Sequence, residues 1–264
     1  MEQVHPRRLA TSFGRAASAY AEHRPDYAPA AVHWALEPAP GPRVLDLGAG
    51  TGKLTASLVA AGYDVVAVEP DPAMLAELRR SLPSVPALSG SAESIPLPDA
   101  SVDAVVAGHA LHWFDMAVAG PEIARVLRPD GILAGLWNVV DDRVPWVAEV
   151  ARVGGSAALG ARDLLGSWRA ATAHTYLPGP SGLAGGARPL FGRPERAELP
   201  HEQRHTADSL TAKIATHAGL LVMPEAEREQ TLDRIRAALA TGPETAAGEF
   251  ALPMLTAVLR VRPL

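Results

Sequence analysis

The stretch VLDLGAGTGKLT, Val44 to Thr55, sets Gly48, Gly50 and Gly52 on alternate positions behind an apolar run and an aspartate. Glycine permits positive φ and lets a ligand touch the main chain. Free N–H groups at the start of a following helix favour a polar or anionic group. The spacing sorts the ligands. A dinucleotide loop, G-x-G-x-x-G, wants its third glycine where this chain has Lys53. A phosphate-binding P-loop wants Ser or Thr after the lysine, where Leu54 stands, and another glycine five residues before Gly52. What remains is D-x-G-x-G-x-G. Glu69, 17 residues beyond Gly52, closes the next apolar run, and a carboxylate there can accept two hydrogen bonds from ribose hydroxyls. Asp71, followed by Pro72, suits the positive end of the next helix better.

A second pattern, HEQRH at His201 to His205, matches the H-E-x-x-H zinc signature. That signature needs a helix, on which positions four apart share a face. Pro200 precedes it and its surroundings read as a strand, on which the two histidines would stand ~13 Å apart, too far to share one ion. No metal is expected. The chain has no cysteine, so disulfides, thiolate metal sites and a cysteine nucleophile are excluded.

These residues need elements to hold them. Apolar runs at 43–47, 64–69, 85–89, 101–107 and 131–137 alternate with helical patterns at 51–61, 71–82 and 116–127. Continuous apolar strands separated by helices indicate a parallel sheet covered on both faces. Helices are also expected over 8–22, from Pro29, and over 144–152, 161–170, 207–217 and 224–240, with strands at 197–205 and 250–261. Residues 177–194, LPGPSGLAGGARPLFGRP, form either a lid or a plain loop.

Whole-chain properties bound the function. The 264 residues carry a formal net charge of -5, and 22 of the 24 basic residues are arginine, with no basic block. That argues against a nucleic-acid groove. The N-terminus lacks the apolar core of a secretory signal, and no apolar run approaches the roughly 18 residues that span a bilayer. A cytoplasmic protein with no membrane partner is expected; its oligomeric state is not legible.

VLDLGAGTGKLT, VVAVEPDPAML, SGSAESIPLPDASVDAVVAGHALHWF and EIARVLRPDGIL, in this order, resemble the class I S-adenosylmethionine-dependent methyltransferases, above all the small-molecule branch that includes the ubiquinone and menaquinone methyltransferases. The resemblance is dense from Val44 to Asn138 and weaker over FGRAASAYAEHRPDYAP, at Phe13 to Pro29, and the C-terminal third. It implies a Rossmann-like α/β fold: a seven-stranded, mostly parallel sheet with helices on both faces, an antiparallel last strand and a helical N-terminal cap. The whole chain is expected to be one domain, with the cap at 1–38, the cofactor-binding core at 42–140 and substrate-side insertions and C-terminal strands at 141–264.

The resemblance also implies roles. Asp46 orders the glycine loop and holds the amino group of the cofactor's methionine portion, with Gly48, Ala49 and Gly50 beneath it. Glu69 takes the ribose. Pro70, Asp71 and Met74 flank the adenine, and Ala92 and Glu93 meet its edge. Ser91 stands where many relatives carry aspartate for the adenine amino group. Gly108 and His109 border the sulfonium. Tyr20 and Arg24 fold over the cofactor, Arg24 toward its carboxylate. His109 and His112 are the candidate catalytic bases, since imidazole titrates in the right range. Trp113 and Trp137 are either an aromatic wall or core. The expected function is methyl transfer from S-adenosylmethionine to a small-molecule acceptor at carbon, oxygen or nitrogen, leaving S-adenosylhomocysteine. The alternative is a cofactor-binding protein of the same fold with a non-methylating role, such as a rearrangement. A nicotinamide oxidoreductase and a protein or RNA methyltransferase rank below both.

Overall fold

The computed structural model describes residues 26–159 and 190–264. The helices expected over 8–22 and 161–170, and most of the 177–194 segment, lie outside them.

From the N-terminal side the elements are α1 (Pro29–Leu36), β1 (Arg43–Leu47), α2 (Lys53–Ala60), β2 (Asp64–Glu69), α3 (Pro72–Ser81), β3 (Ala87–Ser89), β4 (Val102–Gly108), a single 3₁₀ turn at Leu111–Trp113, α4 (Met116–Val126) and β5 (Leu127–Val140). Then come α5 (Pro145–Leu159), β6 (Glu195–His205), α6 (Ala207–Ala215), α7 (Ala218–Leu221), α8 (Glu225–Thr241) and β7 (Phe250–Val261). The seven strands are ordered β3-β2-β1-β4-β5-β7-β6. The first five pair in parallel and the last strands run antiparallel, the Rossmann-like sheet that the family resemblance implies.

Burial explains the apolar runs. β1, β2 and β4 are buried at nearly every position, which requires cover on both faces. Both β1→β2 and β2→β3 step one way across the sheet, whereas β4→β5 steps the other. Right-handed crossovers therefore put α2 and α3 on one face and α4 on the opposite one. The direction of travel reverses between β1 and β4, so the crevice beyond their carboxyl ends is the fold's natural ligand position.

Boundaries shift where local chemistry demands. β3 begins at Ala87, two residues later than expected, because Pro86 has no N–H to give the ladder. β5 begins at Leu127, which pairs with Val102 before the register shifts. Asp130, at φ +63°, turns the RPDG segment back into line. The helix expected to end at 152 runs on as α5, but Gly155, at φ +73° and ψ 175°, breaks it. HEQRH lies on β6, as the strand reading required.

The described residues fall into two compact units. One comprises 26–137, 190–199 and 256–264, the other 138–159 and 200–255. In the first, α1 and α2 pack their Val32, Leu36, Leu54 and Leu58 with Val44, Ala104, Ile132 and Leu136 of the strands. In the second, Val147, Leu210, Ile214, Ile235, Leu239 and Leu252 form a core of their own, with Trp146 edge-on to Phe250 at 5.5 Å between ring centroids. No helix among the described residues is long and apolar enough to cross a membrane.

Candidate functional site

The loop between β1 and α2 is built from three left-handed glycines, with φ of +71° at Gly48, +58° at Gly50 and +89° at Gly52. Gly48 also needs its missing side chain. A Cβ there would stand 2.8 Å from Cβ of Ala110 and 3.5 Å from the Phe114 ring. The loop after β1 thus touches the segment after β4, at the point where the strand order reverses. Gly48 and Ala49 both donate their N–H to the carbonyl of Val68, which ties the loop to the end of β2.

Two carboxylates frame this loop. Glu69, buried, accepts from the N–H of Gly50 at 2.8 Å through Oε2 and from the N–H of Asp71 at 2.8 Å through Oε1. Each oxygen keeps a second lone pair for a hydroxyl donor. Burial raises its pKa, while the two backbone donors oppose the shift. Asp71 caps α3 by accepting from Ala73 and Met74, the helix-end role its place before Pro72 suits. Asp46 is fully buried; its Oδ2 accepts from the Thr55 hydroxyl at 2.6 Å, and its Oδ1 has no hydrogen-bond partner. Burial pushes its pKa up to about 7, the Thr55 hydroxyl opposing and the Glu69 charge adding. An unsatisfied buried carboxylate oxygen is costly, and it supplies an acceptor for a cationic donor entering at the loop.

The neighbouring expected residues gather at the same end of the sheet. Met74, buried on α3, brings Sδ within 3.7 Å of the Cβ position of Gly50. Pro70 follows Glu69 and is exposed. The loop after β3 carries Ser91, Ala92 and Glu93, pinched by a bridge between Ser91 and Ser94. Ala92 is buried, and Glu93 accepts from the N–H of Asp115 at 3.1 Å. Gly108 ends β4 against the hydroxyl of Tyr27. His109 follows at φ +52°, donating its N–H to the Leu136 carbonyl, with its ring 6.4 Å from that of Tyr27.

His112 sits in the 3₁₀ turn beside Trp113, their ring centroids 4.7 Å apart. Desolvation by surrounding protein lowers its pKa to about 4, although the residue keeps an exposed edge. Trp137 Nε1 donates to its Nδ1 at a long 3.5 Å. Indole is a donor only, so this contact suits the neutral tautomer with the proton on Nε2. The two tryptophans part ways: Trp137 is buried at 5% exposure, whereas Trp113 keeps 38% of its surface open. Tyr20 and Arg24 lie outside the described residues.

The structure adds residues that spacing did not single out. Thr55 holds Asp46 from the third position of α2. The Thr51 hydroxyl is buried in the glycine loop without a partner. Tyr27 packs on Gly108 and beside His109. Lys53 pairs with Asp26 at 3.3 Å. The signal for Tyr27 and Asp26 was the RPDY tetrapeptide that begins at Arg24, read for its arginine alone. Among the described residues no group of three His, Cys, Asp or Glu could hold a metal ion.

The profile of a family described as a methyltransferase domain matches residues 45–135. An uncharacterized methyltransferase of Mycobacterium bovis is 43% identical over 255 residues, covering 96% of this chain and 96% of its own length. A demethylmenaquinone methyltransferase of Beutenbergia cavernae is 44% identical over 100 residues, 38% of this chain and 42% of that protein. A solved structure of a proposed type II methyltransferase from Anaeromyxobacter dehalogenans superposes with a TM-score of 0.65 at 26% identity, covering 91% of this chain and 97% of that one.

Proposed function

The chain belongs to the class I S-adenosylmethionine-dependent methyltransferases, and from that premise we propose that it binds S-adenosylmethionine at the β1–α2 loop and methylates a small-molecule acceptor. The observation that carries the cofactor assignment is the buried, unpartnered Oδ1 of Asp46 on β1, two residues before a loop of left-handed glycines. It fits a ligand that brings an ammonium group and needs close backbone approach.

In this reading Asp46 accepts from the amino group of the methionine portion, with Gly48, Ala49 and Gly50 passing beneath it. Glu69 accepts from the ribose hydroxyls with its remaining lone pairs. Pro70 and Met74 flank the base, and Ser91, Ala92 and Glu93 meet its edge. Gly108 and His109 border the sulfur, while Tyr20 and Arg24 close over the carboxylate. Bound S-adenosylmethionine supplies a methyl group on a cationic sulfur, so the reactivity is the cofactor's. The chain aligns the acceptor, excludes water and moves a proton; alignment alone contributes ~7–11 kcal/mol in favourable cases.

The two histidines take different parts. His109 removes a proton from the acceptor. His112, held neutral with its proton on Nε2, donates a hydrogen bond to an acceptor oxygen and so stabilises charge developing there. The exposed Trp113 offers a flat apolar face for the acceptor. The small-molecule assignment draws on the matched demethylmenaquinone methyltransferase and on the absence of a basic block in the sequence. The 264 residues act as one methyltransferase domain in the cytoplasm.

The test is direct. Calorimetric titration with S-adenosylhomocysteine should register binding where NADH does not. Incubation with deuterated-methyl S-adenosylmethionine and a panel of phenols, quinols and carboxylic acids should then give a product heavier by one labelled methyl group. Saturation by NADH with no heat from S-adenosylhomocysteine would sink the proposal. Binding without transfer to any acceptor would favour the non-methylating alternative.

A further inference from the structure

The loop after β3 makes few bonds with itself. Between Gly90 and Asp99 its internal backbone bonds are the Ser91–Ser94 pair and one from Leu97 N–H to the Ile95 carbonyl. A segment so lightly self-bonded takes its shape from outside. Here the outside is Arg125 on α4, with Glu122 one turn before it. Arg125 donates from Nη1 to the Leu97 carbonyl at 2.8 Å and to Asp99 Oδ1 at 2.8 Å, and from Nη2 to the Ile95 carbonyl at 3.0 Å. Its Nε and Nη2 also donate to the two Glu122 oxygens, both at 2.8 Å. All five guanidinium N–H groups are thereby used. Glu122 Oε2 accepts in addition from the N–H of Ile95 at 3.0 Å. The pair therefore grips both backbone groups of Ile95, three residues past Ala92, while Glu93 anchors the near side on Asp115. Glu122 is held down to about 2 by its arginine and backbone donors, and Arg125 is held above the ordinary guanidinium range. The grip therefore stays ionised throughout the working pH range.

β3 ends at Ser89, paired with Glu69, so this loop leaves the sheet beside the proposed ribose acceptor. A base attached to that ribose has this loop as its neighbour. Resting on the cofactor reading above, we infer that Glu122 and Arg125 are positioning residues for base selectivity: they fix the Ser91–Ile95 backbone against which the edge of the adenine is read. A lysine, with three donors on one nitrogen, cannot reproduce the grip.

The distinguishing readout is selectivity, which a general loss of stability does not change. Affinities would be measured by calorimetry for S-adenosylhomocysteine and for S-inosylhomocysteine, in which a 6-oxo group replaces the adenine 6-amino group. The wild-type chain should prefer the adenine compound by about tenfold or more. Arg125→Met and Arg125→Lys should bring that ratio down at least fivefold, and Glu122→Gln should do the same more weakly, while Arg260→Met, which loosens an ion-pair cluster at α1 and β7, should leave it unchanged. A wild-type ratio retained in Arg125→Lys and Glu122→Gln overturns the inference while leaving the cofactor reading intact. A wild-type protein that binds both compounds alike also overturns it. One that binds neither overturns the cofactor reading, and the inference with it.

Discussion

At Asp46 the raised pKa of about 7 couples the apo fold to pH. Between about 4 and about 7 the folded chain retains a proton that the unfolded chain has released, so this group's contribution to stability falls as pH rises through that window. A ligand that sets an ammonium group against it has the opposite preference, because that group favours the ionised carboxylate. S-Adenosylhomocysteine should therefore bind more tightly as pH rises from about 6 to about 8, releasing part of a proton at neutral pH. Calorimetry in buffers of different ionisation enthalpy checks this. Asp46→Asn should flatten the profile and weaken binding by ~1–3 kcal/mol at the upper end. The histidines separate under kinetics at saturating cofactor. His109→Ala should lower kcat by about a hundredfold or more, the usual worth of a positioned base; His112→Ala should lower kcat through loss of its hydrogen bond to the acceptor oxygen. Both should keep S-adenosylhomocysteine affinity within about twofold. An unchanged kcat in His109→Ala would remove it from the proton-transfer role. Asp46, Glu69 and the glycines were legible from the sequence because type and spacing coincide there. Thr55 was not: a threonine inside a helix carries no mark until the fold brings it under a carboxylate.

Between β1 and α2 the chain has little latitude. Gly48→Ala would force a Cβ into a left-handed backbone and against Ala110. The backbone strain alone costs ~1–3 kcal/mol. Gly48→Ala should therefore lower the thermal midpoint and abolish detectable S-adenosylhomocysteine binding, whereas Gly62→Ala, at a comparable φ of +88° with open space around it, should lower the midpoint and spare binding. Equal affinity in both variants would mean that the loop does not carry the ligand. Most strands and helices between residues 26 and 140 were readable because β1, β2 and β4 are buried on both faces and each following helix starts after a turn. The start of β5 was missed: RPDG looks like a stop, yet Leu127 pairs ahead of it. Glu122 and Arg125 were visible only as part of a motif, since their partners lie in a loop about 30 residues earlier.

Over the whole molecule, the described residues proposed for the cofactor fall in the unit formed by 26–137, 190–199 and 256–264. The second unit keeps its own apolar core around Ile235, which is fully buried. Ile235→Ala should cost ~2–5 kcal/mol in denaturant unfolding and leave S-adenosylhomocysteine affinity unchanged; a tenfold loss of affinity would show that the two units share the ligand energetically. The division into units was not evident in the sequence, because β5, β6 and β7 each carry residues of both. Alternation marks a strand but not where its cooperative neighbourhood changes. Lysine scarcity was plain from the start, and the fold gives it a use. Of the two, Lys213 is sealed at 4% exposure, with Nζ on Gln203 and Met254. Lys53, next to Gly52, keeps 30% of its side chain open beside Asp26. An acylating reagent should then mark Lys53 and spare Lys213, and mass mapping of the labelled chain would read that difference in burial directly.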